Sequence, residues 1–277
     1  MKNKYIKFLS APYIIWALIF IIVPLLMVFY YGFTDKSGAF TISNITAIAT
    51  HEHSKALWLA LYLSLISTAI CILLAYPLAM ILSHIGENAE ANKDKYMVFI
   101  FILPMWMNFL LRTIAWQTLL ENDGVINSFL NLLHLPALRI INTPAAIVFG
   151  MVYNFLPFMV LPLVNALNKI DINVINAARD LGANSVQTFL RIILPLSLPG
   201  LISGITMVFI PSLTTFIVSD LLGGSKILLI GNVIEQEFTQ YSNWNLGSGL
   251  SIVLMIFIIV SIVLSTIFDK DMEGTAI

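Results

Sequence analysis

Charged residues are scarce in this chain of 277 residues, because Asp, Glu, Lys and Arg together make up only 10% of it. Soluble globular domains carry about 25% charged residues, with which they cover their surface in water. Apolar residues account for 59% of the chain, and its mean hydropathy is +0.92. The composition excludes a water-soluble globular protein and predicts an all-α integral membrane protein.

Cysteine is nearly absent, so no internal disulfide can form, and the single Cys71 lies in an apolar run where it fits a small core residue. The histidines are scattered. His51 and His53 flank Glu52 in a polar segment, for which an ordinary loop is favoured over a metal site. The net charge of -1 favours no nucleic-acid partner. We predict no metal site and no catalytic residue; with no His, Asp and Glu cluster in the apolar segments, a membrane enzyme or assembly factor is disfavoured.

Six apolar segments are long enough to cross the bilayer, since a helix needs about 20 residues to span roughly 30 Å of hydrocarbon. They are residues 11–33, 57–83, 97–120, 144–167, 199–222 and 247–268. The first segment is too long for the core of a signal peptide, and no small-residue cleavage site follows Phe33. We therefore expect an uncleaved anchor and six transmembrane helices.

The placement of Lys and Arg predicts the orientation of these helices. With a cytoplasmic N-terminus, nine cations lie inside and four outside, and Arg112 falls within a span. The inner cations are Lys2, Lys4, Lys7, Lys93, Lys95, Lys169, Arg179, Arg191 and Lys270, and the outer ones are Lys36, Lys55, Arg139 and Lys226. We predict a multi-pass protein of the plasma membrane with both termini in the cytoplasm.

The cytoplasmic connection 168–198 encodes short helices of its own. Asp171 or Asn173 can cap the start of a helix, and Gly182 can end it in a left-handed conformation. The apolar residues that share one side of this helix are Ile172, Ile175 and Ala178. A second stretch begins at Ser185 and leads through Phe189 and Ile192 back into the membrane. Such a connection predicts a rigid, protruding docking element.

This connection also carries a spaced motif. Its residues are Ala177, Ala178, Gly182, Ile192, Leu194 and Pro195. The pattern resembles the cytoplasmic signature of binding-protein-dependent ABC importer permeases, which is Glu-Ala-Ala, three residues, Gly, nine residues, Ile, one residue, Leu-Pro. Only the first position differs, because Asn176 stands where the family has glutamate. An asparagine keeps a hydrogen-bond acceptor but loses the charge that strengthens such a bond.

The resemblance implies a type I ABC importer permease fold of six transmembrane helices. Residues 1–56 then form the N-terminal tail, first helix and outer loop, residues 57–268 the permease domain, and residues 269–277 a short tail. The segment 171–182 corresponds to the coupling helix, which docks on a separate ATPase. The residues implied in this coupling are Asn176, Ala177, Ala178, Arg179, Asp180, Gly182, Ile192, Leu194 and Pro195. The alternative is an amphipathic helix that lies on the membrane surface.

The same resemblance implies the partners: an ATP-binding subunit that acts as a dimer, a second homologous permease, and an extracellular or periplasmic solute-binding protein. ATP and Mg²⁺ are then bound by the ATPase, and this chain needs no cofactor. The stretch Gly223-Gly224-Ser225-Lys226 lacks the glycines that a phosphate-binding loop requires. We therefore expect a transport subunit of a bacterial inner membrane rather than an enzyme.

Two further stretches are similar to the first permease subunit of spermidine/putrescine importers. One is Ser219-Asp220-Leu221-Leu222-Gly223-Gly224 with Leu229-Ile230-Gly231-Asn232, and the other is Pro104-Met105-Trp106 with Arg112-Thr113. The resemblance implies a polyamine substrate. Candidate pathway residues are Asp220, Trp106, Asn108, Arg112, Trp116, Glu121 and Tyr153.

The chemistry of these candidates leaves alternatives open. A carboxylate near the end of a span, such as Asp220, is costly unless it is paired or hydrated, but it could also serve a turn. Aromatic faces bind alkylammonium groups by about 0.5–2 kcal/mol each, although tryptophans also form interfacial belts. Arg112, which shares a helix face with Asn108 and Trp116, repels a polyamine unless it pairs with a carboxylate. A pair with Asp220 or Glu121 is either an outer gate or purely structural.

Other transport functions remain as alternatives. Within the importer class the substrate could be another small organic solute, such as glycine betaine, or an oxyanion, which suits Arg112 better than Asp220. Outside that class, the alternative is a secondary transporter or channel that works without ATP. The sequence shows no internal repeat of the kind that many secondary transporters carry.

Overall fold

The computed structural model describes residues 11–83, 93–224 and 226–273, and within these ranges the regular structure is helical, with one isolated β-bridge between Thr34 and Phe40. Residues 1–10, 84–92, 225 and 274–277 lie outside the described residues, and with them the predicted N-terminal tail, most of the connection 84–96 and the end of the C-terminal tail. Helix α1 comprises Ala11–Ala17, the π-helical turn Leu18–Ile22 and Val23–Gly32. The others are α2 (Ser43–Thr46), α3 (His51–Leu82), α4 (Lys93–Ile102), α5 (Phe109–Leu120), α6 (Val125–Leu132), α7 (Pro144–Leu167), α8 (Ile172–Asp180), α9 (Ser185–Thr188), α10 (Leu194–Thr214), α11 (Ile217–Gly223), α12 (Ile230–Thr239) and α13 (Trp244–Glu273).

Five helical segments of the described chain are long and apolar enough to cross a membrane, and there are six such spans if one bent pair is counted as a single span. The five are Pro12–Gly32, His51–Leu82, Pro144–Leu167, Ser185–Thr214 and Trp244–Ile267. The bent pair is Val98–Trp106 with Phe109–Leu132. The all-helical membrane fold predicted from composition is confirmed. The second span begins earlier than predicted, so His51 and His53 lie in the first turn of α3 and not in a loop. The larger differences concern the third and fifth spans.

The predicted third span, residues 97–120, is wrong as a continuous helix, because the chain turns by 92° between Trp106 and Phe109. A 3-10 turn, Leu103–Trp106, precedes the break, and Met107 is extended with ψ 145°. Asn108 then starts α5 as its N-cap, and its side chain accepts a hydrogen bond from the Leu110 amide at 2.8 Å. This cap replaces the backbone partner that a continuous helix supplies.

The predicted fifth span, residues 199–222, also has the wrong bounds. Helix α10 begins earlier, at Leu194, and ends at Thr214, because Thr215 is extended with ψ 132°. Asp220 therefore lies on the separate short helix α11 rather than at the outer end of a span. Irregular backbone of this kind is tolerated at a membrane where protein groups satisfy its polar atoms.

The described residues divide into two compact units, and the larger comprises Leu57–Asn232 with the segment that starts at Ile258. Its centre is α7, in which 61% of the most apolar stretch of 18 residues is buried. Helix α10 approaches α7 at Gly200, where an added Cβ would lie 2.7 Å from the Pro162 carbonyl oxygen. Gly200 and Gly204 form a small-xxx-small pair, which allows two helix backbones to come close in a membrane.

The smaller unit comprises the described residues up to Ala56 together with Val233–Phe257. It holds the end of α1 through two side-chain amides that donate to the Thr34 carbonyl oxygen. The Asn44 Nδ2 lies at 2.9 Å from this oxygen, and the Asn245 Nδ2 lies at 2.7 Å from it. The rest of α1 is open, since none of its most apolar window is buried within the chain. The domain bounds predicted from the sequence stay a prediction.

Candidate functional site

Helix α8 of the connection 168–198 has the start and the end that its sequence predicts. Asp171 is the N-cap, and its carboxylate accepts the Asn173 amide at 2.9 Å. Gly182 ends the turn with φ +83°, and an added Cβ there meets no atom within 4 Å. The left-handed backbone alone therefore makes glycine the favourable residue at this position.

The burial of α8 agrees in part with the predicted amphipathic face. Ile175 and Ala178 are buried, whereas Ile172 is 44% exposed and so does not share their environment. The residues implied in coupling that remain exposed are Asn176, Ala177, Arg179, Asp180, Gly182 and, at the start of α10, Pro195. Leu181 at the tip of the loop is 89% exposed. An exposed apolar tip beside small alanines is a surface that a partner can cover closely.

The second half of the motif attaches this loop to the membrane helices. Asn184 and Gln187 form a reciprocal capping box at the start of α9, with bonds of 2.8 and 3.0 Å. The Phe189 ring then packs edge-on against Tyr76 at a centroid distance of 5.4 Å. Of the motif residues, Ile192 lies in the π-helical turn Phe189–Ile193, and Leu194 and Pro195 are the first residues of α10. Because capped turns and ring packing hold its base, a displacement of the loop can be passed to α10.

The other candidate region lies where the third and fifth spans are broken. Helices α5 and α11 both start at a break, and α11 packs against both α5 and α7. Arg112 is the fourth residue of α5, and Asp220 is the fourth residue of α11. The structure thus gives two broken helices in contact, each with one charged residue of opposite sign in its first turn.

The carboxylate of Asp220 is positioned by an asparagine that the sequence analysis did not select. The Asn232 Nδ2 donates to Asp220 Oδ1 at 2.7 Å and to the Phe216 carbonyl oxygen at 3.1 Å. The Asn232 Oδ1 in turn accepts the Leu229 amide at 3.0 Å. Asn232 is 1% exposed, whereas Asp220 is half-buried. This amide therefore fixes the break and the carboxylate together.

Arg112 is buried, with 7% of its surface exposed, and its Nε has no hydrogen-bond partner among the described residues. On the neighbouring Thr113, the hydroxyl accepts the Asn154 Nδ2 at 3.3 Å, while the Asn154 Oδ1 also has no partner within the described chain. A buried, unpaired donor on a cation is costly. Its pairing with Asp220 or Glu121 stays a prediction.

The remaining candidates lie in different environments. Trp116 packs edge-on against Phe149 and Tyr153, at centroid distances of 4.7 and 5.2 Å. Trp106 lies before the break and is 74% exposed, and Asn108 uses its side chain as the cap of α5. Glu121 is exposed and ends α5 as its C-cap. The structure thus groups Trp116 with Tyr153, and places Trp106 and Glu121 beyond opposite ends of α5.

Buried asparagines are the functional candidates that sequence reasoning missed. Besides Asn232 and Asn154, Asn127 is 1% exposed, and its side chain bonds the Glu121 and Leu138 carbonyl oxygens and the Leu138 amide. The available signal was an amide in an otherwise apolar stretch, where it must find partners within the protein.

Comparison with known proteins assigns the family. The profile of the binding-protein-dependent transport system inner membrane component matches residues 75–274. The chain belongs to this family. The matched segment of this permease contains the motif of the connection 168–198 and both broken spans.

Two curated relatives resemble the permease over most of its length. The spermidine/putrescine transport system permease protein PotB of Haemophilus influenzae is 39% identical over 265 residues, which are 92% of this chain and 91% of that protein. PotB of Escherichia coli K12 is 38% identical over 249 residues, which are 87% of this chain and 89% of that protein.

Solved structures confirm the type I ABC importer permease fold. A chain of a bacterial ABC transporter involved in the import of the acidic polysaccharide alginate superposes with a TM-score of 0.82, and the match covers 98% of this permease and 96% of that chain at 18% identity. A chain of the MetNI methionine ABC transporter superposes with a TM-score of 0.56 over 79% of this permease and 95% of that chain, also at 18% identity.

Proposed function

We propose that this permease is one of two permease subunits of a spermidine/putrescine importer and forms half of its translocation pathway. The proposal is supported by the two PotB relatives, which share 38–39% of their residues with this chain over about nine tenths of its length. In this assignment a second, homologous permease completes the pathway, and a dimer of a separate ATPase binds ATP and Mg²⁺. A solute-binding protein delivers the polyamine.

The observation that carries the ATPase assignment is the shape of the connection 168–198, which we call the coupling loop. Its tip exposes 89% of Leu181 beside exposed Ala177, while Ile175 and Ala178 anchor the same helix from below. An apolar side chain that is exposed to water contributes no burial free energy, whereas a groove on a partner protein would bury this leucine and stabilise the complex. ATP-driven closure of the ATPase dimer then displaces α8, and the capped base passes this displacement to α10.

The orientation that this mechanism requires follows from the distribution of Lys and Arg. It places α8 and both termini in the cytoplasm. The connections 34–55, 121–143 and 223–246 then face the binding protein on the outer side. Asp220 and Arg112, which follow the two breaks, belong to the outer half of the pathway in this orientation.

Substrate recognition is assigned to the broken helices. A half-buried carboxylate that a neighbouring amide holds in place can accept an ammonium group without reorganising. Asp220 has this arrangement through its 2.7 Å bond from Asn232. Arg112 lies in the first turn of the neighbouring broken helix, where it opposes a second ammonium unless a carboxylate pairs with it.

A second candidate substrate is an anionic solute, which the unpartnered Nε of buried Arg112 favours. The two assignments predict opposite effects of charge removal. Asp220→Asn should impair the import of a cation, whereas Arg112→Gln should impair the import of an anion. Competition assays with spermidine and with small oxyanions separate the two outcomes.

The test of the whole proposal is uptake in proteoliposomes. The two permeases and the ATPase are reconstituted in proteoliposomes, with the binding protein outside and ATP inside. The uptake of labelled spermidine and putrescine is then measured. We expect uptake only when ATP and all subunits are present. Uptake by this polypeptide alone, without ATP, would instead establish a secondary transporter or channel.

A further inference from the structure

A cavity of about 580 Å³ lies in the smaller unit, beside the end of α1.

 A groove of about 710 Å³ at the base of α8 belongs to the coupling region already described. The cavity of about 580 Å³ is separate from it, and the residues that line it are Met27, Tyr31, Lys36, Ser242, Asn243, Trp244 and Asn245. No role was assigned above to this second cavity itself, although Lys36 and residues 242–245 lie in connections that face the binding protein in the proposed orientation.

The lining changes in character along the axis of α1. Met27 and Tyr31 lie on one face of this helix, four residues and so about 6 Å apart along its axis. Lys36 follows beyond the end of α1, in the polar turn that starts after Gly32. The cavity therefore passes from a thioether within the span, through aromatic rings, to an ammonium group beyond it.

Protein contacts hold the walls of this cavity in place. The Asn245 Nδ2 donates to the Tyr31 carbonyl oxygen at 3.2 Å and to that of Thr34 at 2.7 Å. The Trp244 ring packs against Tyr31 at 6.2 Å and against Phe238 at 5.5 Å. The site is thus built before a ligand arrives, which lowers the cost of binding.

The charged groups around Lys36 leave its ammonium available to an anion. The neighbouring Asp35 does not line the cavity, and its Oδ1 accepts the Ser37 hydroxyl at 2.6 Å and the Ser37 and Ala39 amides at 2.8 and 3.0 Å. Of the seven lining residues, only Lys36 carries a charge.

We propose that this cavity binds the phosphodiester headgroup of an anionic phospholipid, with the phosphate at Lys36 and an acyl chain along Met27. Tyr and Trp at the ends of two spans place the cavity at the level of the headgroups. A soluble protein that docks on the polar end does not reach Met27, which lies a full turn deeper in the span. The amphipathic lining therefore fits a lipid better than a protein side chain.

The test measures lipid that stays bound to the intact importer complex. The complex is purified from membranes that contain phosphatidylglycerol and phosphatidylcholine, and the bound lipids are counted by native mass spectrometry. Lys36→Gln should reduce bound phosphatidylglycerol about fivefold, since one cation near the surface contributes about that factor. Lys55→Gln, at an exposed lysine of the same unit that does not line the cavity, should leave it unchanged.

Three results would overturn the proposal. Equal retention of phosphatidylglycerol by Lys36→Gln and Lys55→Gln would exclude the site. Displacement of the lipid by millimolar inorganic phosphate would assign the cavity to a free anion. Weaker docking of the binding protein to Lys36→Gln in lipid-free detergent would assign it to a protein contact. Lys36 is exposed, so we expect the melting temperature of Lys36→Gln to be unchanged. An unchanged value shows that the variant folds normally.

Discussion

The coupling loop and the broken helices α5 and α11 differ in what they expose, but side-chain hydrogen bonds to the backbone shape both. In the coupling loop, side-chain caps at Asp171 and Asn184 build short helices that present an exposed tip. At the broken helices, Asn108 and Asn232 satisfy backbone groups where a span stops, and Asn232 also binds the half-buried carboxylate of Asp220. A surface that docks can be encoded locally, whereas a buried pathway depends on contacts between distant segments.

The largest effect should come from Gly182→Val. The left-handed backbone at φ +83° costs a β-branched residue about 1–2 kcal/mol or more, so the tip of the coupling loop should rearrange. We expect at least tenfold slower ATP-driven uptake while insertion into the membrane stays normal. Gly38→Val is the matched control, because Gly38 also has φ +83° and open space around its Cβ position. If both variants lose uptake equally, strain alone explains the loss and the loop has no special role.

The next effect should come from Asp220→Asn, which removes the charge and keeps the shape that Asn232 binds. We expect roughly tenfold slower spermidine uptake, about the value of one charged hydrogen bond. ATPase stimulation by the binding protein alone should persist, because the coupling loop is intact. Asp35→Asn, at an exposed carboxylate in the smaller unit, is the control. Normal uptake by Asp220→Asn would remove this carboxylate from substrate recognition.

A charge exchange between Arg112 and Asp220 tests whether the two broken helices act together. If the residues form a pair during transport, Arg112→Asp with Asp220→Arg should restore part of the uptake that either single variant loses. Initial uptake rates of the single and double variants measure this coupling. Independent losses in all three variants would contradict the pairing.

The smallest effect should come from Asn176→Glu, which restores the glutamate of the family motif on the exposed side of α8. A charged acceptor forms stronger hydrogen bonds than an amide, so we expect tighter association with the ATPase, by about threefold. The apparent affinity of the ATPase for the permease pair in detergent measures this. Asn173→Glu, on the first turn of the same helix, controls for added charge.

The described chain shows why the sequence predicted some of these features and not others. Apolar runs located the spans, because the bilayer demands them whatever the packing. The start of α8 was predicted at Asp171 or Asn173 and its end at Gly182, since a cap and a left-handed turn depend on nearby residues alone, and Asp171 is the cap. Both are local properties.

The two breaks were not predicted, because proline does not determine them. Pro157 and Pro162 lie inside the continuous helix α7, whereas the fifth span breaks after Thr214, close to Pro211. The difference lies in long-range bonds such as that from Asn232 to the Phe216 carbonyl oxygen, across 16 residues. The functional roles of Arg112, Asp220 and the aromatic candidates stay predictions for the same reason.

The central claim is that the tip of the coupling loop docks on the ATPase. A cross-link from this tip tests the claim most directly. Cys71, the single native cysteine, is fully buried, so Leu181→Cys adds one reactive thiol at the exposed tip. With a cysteine scanned along the surface of the partner ATPase, we predict a disulfide that stops spermidine uptake and whose reduction restores it. Lys55→Cys, at an exposed lysine that does not line the lipid cavity, serves as the control on the smaller unit. Full uptake in a complex whose Leu181→Cys thiol stays open to a bulky maleimide throughout ATP turnover would contradict the claim.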